Sequence, residues 1–116
     1  MKTQIMQLFS QYYLQGLVKG GELCLPPLLA LQLADDLGNL GVGIMGVDGW
    51  RYTENGFVAQ DLATDFYVGD EILRSNTAVE DSVLVVKEFI TNHLAPTTIF
   101  VSFTLNIPYD DILDSH

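Results

Sequence analysis

The amino-acid sequence predicts an α+β fold, with a small, mainly antiparallel sheet packed against a long helix in the C-terminal half and against N-terminal helices. Three observations lead to this prediction. Residues 75–94 repeat apolar side chains at helical spacing behind a helix-start signal. Residues 97–107 alternate between two faces and are rich in β-branched and aromatic side chains, as strands are. The dipeptide Asn55-Gly56 separates two strand-like segments and is a strong hairpin signal.

Two helices are predicted before the sheet. The first covers residues 3–19 and ends at Gly20-Gly21, since glycine commonly terminates a helix. Its apolar side chains recur at helical spacing: Ile5, Leu8, Phe9, Tyr12, Tyr13 and Leu17. The second helix opens at Pro26-Pro27, because proline is tolerated in a first turn, and stops at Gly38.

The sheet is predicted to begin with a strand of small and apolar residues at 42–47, followed by a turn at Asp48-Gly49. A second strand then starts at Trp50 and leads into the Asn55-Gly56 hairpin. Residues 57–61 would pair back against it, and residues 65–68 would form a short strand or an extended loop.

The long helix at residues 75–94 carries a predicted capping box, in which Thr77 and Glu80 satisfy free backbone N–H groups at its start. One face of this helix is apolar and contains Val79, Val83, Val86 and Ile90. In the closing strand at 97–107, one face carries Ile99, Val101, Phe103 and Leu105, and the other carries Phe100, Ser102 and Thr104.

The 116 residues are predicted to form a single domain, because no linker or internal repeat is visible. Residues 1–39 are its helical part, residues 40–107 contain the sheet and the long helix, and residues 108–116 form an acidic tail. An apolar content of 48% and a mean hydropathy of +0.24 argue against a disordered chain.

Acidic charge dominates the composition. Fifteen Asp and Glu residues outnumber five Lys and Arg, giving a net charge of −10. Such a charge repels nucleic acids and anionic lipids and attracts basic proteins, so we expect a basic protein partner and neither nucleic acid nor membrane. The sequence shows no apolar signal segment and has one cysteine, Cys24, which predicts a cytoplasmic protein without disulfides.

No known catalytic, phosphate-binding or metal-binding motif occurs in the sequence, which therefore predicts a protein that is not an enzyme and holds no cofactor or metal. The glycines of GVGIMG lie inside a strand and not after one, so they do not match a dinucleotide-binding loop. A small carboxylate- or metal-dependent enzyme remains an alternative. Its acids would converge around the hairpin: Asp48, Glu54, Asp61 and Asp65.

The residues around the hairpin form the candidate partner-binding surface. Trp50 and Tyr52 share one face of a strand, and Asp48, Glu54 and Asn55 flank them with polar groups. Aromatic residues with a polar rim are typical of protein interfaces, although the same aromatics can pack on the sheet. A second hypothesis is a non-catalytic protein-interaction or homodimeric accessory module, in which the apolar face of the N-terminal helix contacts a second copy.

Two segments, LGVGIMGVDGWRYTENGFVAQDLATDFYV and TTIFVSFTLNI, carry a family resemblance. Residues 40–107 resemble the small immunity proteins that neutralise colicins of the anticodon-cleaving tRNase type. The residues that match the pattern are Gly46, Asp48, Gly49, Asn55, Gly56 and Phe57, together with the alternation of the closing strand.

This resemblance implies inhibitory binding, in which an acidic surface imitates the substrate tRNA and fills the RNA-binding cleft of the toxin. Trp50 and Tyr52 would take the positions of stacked bases. The carboxylates that would take the positions of phosphates are Asp48, Glu54, Asp61 and Asp65. The N-terminal residues 1–39 have no counterpart in this pattern.

Overall fold

The computed structural model describes residues 2–19, 21–56, 58–69, 72 and 76–105, and the side chains of all of these except 2, 3 and 58–66. The elements in chain order are α1 (Lys2–Tyr13), β1 (Leu17–Lys19), β2 (Glu22–Cys24), α2 (Pro27–Asn39), β3 (Ile44–Tyr52), β4 (Val58–Tyr67), α3 (Ala78–Asn92) and β5 (Phe100–Leu105). The α+β fold predicted from the sequence is confirmed. None of the helices described in these ranges is long and apolar enough to cross a membrane.

The strands form two antiparallel sheets that meet edge to edge. In the larger sheet the order is β4-β3-β5, so β3 is its central strand. In the smaller sheet, β1 pairs with β2 as a hairpin. The residue after β2, Leu25, pairs with Val101 of β5 through two N–H···O bonds of 2.9 and 2.7 Å. This pair fixes the hairpin beside the outer edge of β5.

The hydrophobic core lies between the helices and one face of the larger sheet. The buried sheet residues on this face include Ile44, Val47, Val101, Phe103 and Leu105. The helices contribute Ile5, Leu8, Phe9 and Tyr12 from α1, Ala30, Leu33, Ala34 and Leu37 from α2, and Val83, Val86 and Ile90 from α3. A buried hydroxyl joins α3 to β3, because Ser82 Oγ accepts the backbone N–H of Ile44 at 3.2 Å and donates to the carbonyl of Val79 at 2.8 Å.

The first helix is shorter than predicted. It ends at Tyr13, and residues 17–19 form β1 instead of the last helical turn. Gly16 explains the change, because a Cβ atom at this position would lie 2.3 Å from the carbonyl oxygen of Cys24. Only glycine lets the chain pass so close to β2. Gly21, with φ of +79°, then makes the turn of a β-hairpin and does not end a helix.

The predicted turn at Asp48-Gly49 is wrong, since β3 runs without interruption through both residues. Asp48 pairs with Ser102, and Gly49 pairs with Val101 on one side and Asp61 on the other. The hairpin at Asn55-Gly56 is confirmed, and Gly56 adopts φ of +80°. After it, β4 is a single strand with an irregular register between the pairs Val47–Phe66 and Gly49–Asp61.

The long helix and the closing strand lie where the sequence places them, at Ala78–Asn92 and Phe100–Leu105. The predicted capping box is absent, because Thr77 makes no side-chain bond to the backbone and its hydroxyl donates to Asp81 Oδ2 at 2.6 Å. In β5 the apolar alternation holds for Val101, Phe103 and Leu105, all buried. The predicted acidic tail at 108–116 lies outside the described residues.

Candidate partner-binding surface

The candidate surface is built on the face of the larger sheet that does not contact the helical core. We call it the outer face: Asp48, Trp50 and Tyr52 of β3, with Phe100 and Ser102 of β5. The register pairs Asp48 with Ser102 and Trp50 with Phe100. Because paired residues share a face and side chains alternate along a strand, these five side chains lie together. The prediction that Trp50 and Tyr52 share a face therefore agrees with the register.

Trp50 lies against the sheet and is partly buried. Its indole Nε1–H donates a hydrogen bond of 2.8 Å to the hydroxyl of Ser102, which is itself 1% exposed. A buried indole N–H needs such an acceptor, so this bond fixes the ring over β5. Of the two aromatic residues proposed for partner contact, Trp50 is therefore the one that supports the surface.

Tyr52 is the exposed aromatic residue of the outer face. Half of it, 51%, is accessible to solvent. Its ring meets Phe100 edge to face, with ring centroids 6.5 Å apart and an interplanar angle of 79°. Beyond Tyr52, the hairpin tip exposes Glu54 and Asn55. An ordered aromatic ring thus stands next to a carboxylate and an amide that face water.

Asp48 is a buried carboxylate at the centre of β3, with 8% of its surface exposed. It acts on a second carboxylate, Glu22 of β2. Burial of Glu22, together with the charge of Asp48, raises the pKa of Glu22 to about 7. Both effects disfavour the ionised form, so Glu22 titrates near neutral pH.

The sequence does not single out Glu22, because the apolar spacing of residues 3–19 and the glycines that follow predict a helix and its end. A signal for it was present. Gly20-Gly21 separates two short strand-like segments, and Glu22 and Cys24 alternate with Leu23 and Leu25.

Cys24 of β2 is fully buried. Burial and the charge of Glu22 raise the pKa of its thiol to about 12, against the opposing effect of hydrogen bonds from the Lys19 backbone and the Ser102 side chain. At neutral pH the thiol is protonated and therefore a poor nucleophile. Cys24 therefore packs as a small hydrophobic residue.

Asp61 and Asp65 belong to β4, where the backbone is described and the side chains are not. The register pairs Asp61 with Gly49, out of phase with Asp48 and Trp50, and Asp65 falls in the irregular part of the strand. Of the predicted site residues, Asp48, Trp50 and Tyr52 share the outer face, and Glu54 and Asn55 are exposed at the hairpin tip that follows.

A metal centre finds no support among the described side chains, where no three His, Cys, Asp or Glu residues are arranged to hold an ion. The acids at the end of α2 instead hold helices together. Asp35 forms a salt bridge of 2.8 Å with Lys87 of α3, and Asp36 accepts a hydrogen bond of 2.6 Å from the Tyr12 hydroxyl. Burial and the bond to Asp36 raise the pKa of Tyr12.

The apolar stripe of α1, considered from the sequence as a dimer contact, is used inside the protein. Ile5, Leu8, Phe9 and Tyr12 are all buried in the core of the same chain. A homodimer through this helix would have to use its other residues.

Comparison of the chain with models of known protein families and with curated protein sequences found no match. The resemblance to tRNase immunity proteins accordingly rests on the residues given above, and it enters the functional argument as a hypothesis.

Proposed function

We propose that this protein is an acidic inhibitor that binds a basic nuclease of the anticodon-cleaving tRNase type and blocks its RNA-binding cleft. The observation that carries the proposal is the exposed end of the β3–β4 hairpin, where Tyr52, Glu54 and Asn55 are all accessible to solvent. These residues belong to a chain with a net charge of −10.

The charge of the protein favours a cationic partner. A cleft that binds RNA is lined with Lys and Arg, which contact phosphates. Carboxylates make the same bidentate, charge-assisted hydrogen bonds to Arg, so Glu54 can occupy a phosphate position. The wider negative field accelerates association and repels RNA that competes for the cleft.

Tyr52 supplies the contact that resembles a base. Proteins that recognise single-stranded RNA stack unpaired bases on aromatic or Arg side chains, and the exposed ring of Tyr52 can enter such a stack. Its edge-to-face contact with Phe100 orders the ring before binding. Tyr is also among the residue types enriched at the energetic centres of protein interfaces.

Asp48 and Trp50 take supporting parts in this proposal. Asp48 is too deeply buried for broad contact, and it contributes negative potential beneath the surface. Trp50 donates a hydrogen bond to Ser102 of β5 and so stabilises β3, the strand that carries Tyr52.

The test is binding to, and inhibition of, a purified tRNase domain of the anticodon-cleaving colicin type, together with any basic nuclease domain encoded beside this gene. Calorimetry measures affinity, and cleavage of an anticodon stem-loop measures inhibition. We expect one-to-one binding that weakens as salt is raised. Tyr52→Ala should weaken it by about tenfold to a hundredfold, as expected for the loss of an interface anchor.

Glu80→Gln provides the matched control for Glu54→Gln. Glu80 is exposed at the start of α3, away from the outer face, and its substitution changes the net charge by the same amount. Weaker binding for Glu54→Gln than for Glu80→Gln supports a local contact of Glu54 with the partner. Equal effects would mean that Glu54 acts only through the net charge of the protein. Failure of every such nuclease domain to bind at micromolar concentration, or equal inhibition by Tyr52→Ala and wild type, would refute the proposal.

A further inference from the structure

The tip of the β3–β4 hairpin contains a chemically labile dipeptide, Asn55-Gly56. The sequence contains no other Asn-Gly pair. Both residues are exposed, and they follow Tyr52, which pairs with Val58 at the end of the ladder between the two strands. The carboxamide of Asn55 is therefore in contact with water at the end of an ordered hairpin.

The turn itself requires glycine at position 56. Gly56 adopts φ of +80°, a conformation that residues with a Cβ atom rarely adopt. Its N–H donates a hydrogen bond of 3.0 Å to the carbonyl of Thr53, which closes the turn. Apart from the adjacent residues, a Cβ added at Gly56 would meet no atom within 4 Å. The fold thus places a backbone nitrogen without a neighbouring side chain directly after the exposed carboxamide of Asn55.

This arrangement suits an intramolecular reaction that removes the amide. The backbone nitrogen of Gly56, once it has lost its proton, attacks Cγ of Asn55. A bond forms between this nitrogen and Cγ, the Cγ–Nδ2 bond breaks, and Nδ2 leaves as ammonia, so that a succinimide ring remains. Water then adds to one of the two ring carbonyls and opens the ring to aspartate or isoaspartate. Glycine favours ring closure because it has no side chain to obstruct it.

We propose that Asn55 is a site of spontaneous deamidation in the folded protein, which converts the amide at the hairpin tip to a carboxylate beside Glu54. The reaction consumes only water and does not depend on the function proposed above. The net charge becomes −11 instead of −10, because one neutral amide becomes an acid. In the isoaspartate product the backbone also runs through Cγ, which lengthens the turn that Thr53 and Gly56 close.

The hydrogen bond of Gly56 slows the reaction. The N–H group that must lose its proton donates to Thr53, so this bond has to break before the nitrogen can attack. Exposed loop tips open locally at a small cost in free energy. We therefore expect deamidation to be slower in the folded protein than in the unfolded chain. It should be faster at pH 8 than at pH 6, because hydroxide removes the N–H proton.

Three exposed asparagines that precede larger residues serve as internal controls: Asn39, Asn76 and Asn92. Leu40 and His93, which follow two of them, also donate backbone hydrogen bonds, as Gly56 does. These two sites match Asn55 in exposure and in the hydrogen bond, and they differ in the side chain that follows. Selective loss at Asn55 therefore measures the effect of glycine in the hairpin turn.

The experiment incubates the folded protein at pH 8 in heavy-oxygen water, followed by digestion at low pH in ordinary water and mass spectrometry. Deamidation during the incubation places heavy oxygen in the new carboxyl group, which distinguishes it from deamidation during digestion. We expect Asn55 to be lost to a mixture of aspartate and isoaspartate while the three control asparagines persist. Low concentrations of urea should leave the rate nearly unchanged, since local opening exposes little surface.

Asn55→Gln is the matched variant, because it keeps the amide but requires a larger ring for attack by Gly56. Isoelectric focusing should show acidic species accumulating in wild type and not in this variant. The proposal is overturned if folded wild type keeps the Asn55 amide while the urea-unfolded chain loses it, or if the three control asparagines are lost at the same rate. It is also overturned if the loss rises steeply in low urea, as a route through global unfolding requires, or if Asn55→Gln accumulates acidic species as wild type does.

Discussion

The stability of the protein should fall as the pH rises from about 4.5 to about 7, because Glu22 binds its proton more tightly when folded than when unfolded. Below this window both states hold the proton, and Glu22 adds no pH dependence. Within it, the unfolded chain ionises first, so unfolding becomes easier. Above this window Glu22 is ionised in both states, and its ionisation lowers the stability no further.

The magnitude follows from the displacement of the Glu22 pKa from its ordinary value of 4.5 to about 7. At about 1.4 kcal/mol for each pH unit, the upper limit is about 3 kcal/mol. Glu22 keeps contact with water, which screens the repulsion from Asp48, so we expect a loss of about 1–2 kcal/mol.

Glu22→Gln tests this reasoning, because glutamine keeps the shape of the side chain and cannot ionise. The assay is urea unfolding followed by Trp50 fluorescence at pH 4, 6 and 8. The variant should match wild type at pH 4 and exceed its unfolding free energy by about 1–2 kcal/mol at pH 8. A variant that is equally or less stable than wild type at pH 8, with unchanged dependence on urea concentration, would show that Glu22 ionises in the folded protein without a penalty.

Two further predictions concern close contacts. Gly16→Ala should destabilise the protein by about 2 kcal/mol or more, because the new Cβ would lie 2.3 Å from the Cys24 carbonyl oxygen. Gly69→Ala is the control, because a Cβ added at Gly69 would meet no atom within 4 Å. This substitution should change the free energy of unfolding by less than about 1 kcal/mol. Equal effects of the two substitutions would contradict the predicted clash at Gly16. Tyr12→Phe should cost about 1–2 kcal/mol in urea unfolding by removing the hydrogen bond to Asp36. An unchanged unfolding midpoint would mean that the Tyr12–Asp36 hydrogen bond is no stronger than the hydrogen bonds that both groups make to water in the unfolded chain.

Structural features that depend on residues close together in the sequence were predicted best. The Asn55-Gly56 hairpin, the apolar alternation of β5 and the periodicity of α3 are local patterns, and the structure contains all three. Exposure of the hairpin tip follows from the same local signals. The sequence therefore predicts the part of the outer face that lies on β3 next to the hairpin.

The errors arise where distant contacts overrule local preference. Asp48-Gly49 has the composition of a turn, but pairing with β5 on one side and β4 on the other keeps it in a strand. The helical pattern of α1 continues to Leu17, but the approach of Gly16 to Cys24 ends it earlier. Glu22 was missed for the same reason, since its raised pKa comes from burial in the folded protein and from the charge of Asp48 on another strand.

The position of the outer face on the central strand has a consequence for the thermodynamics of binding. β3 is paired along both edges as far as Trp50, and Tyr52 pairs with Val58 of β4, so the backbone that carries these two residues has already lost its conformational freedom on folding. A partner that contacts these residues need not order a loop, and the entropy lost on association is correspondingly smaller. For the basic partner proposed above, the costs that remain are desolvation and the ordering of its own Lys and Arg side chains.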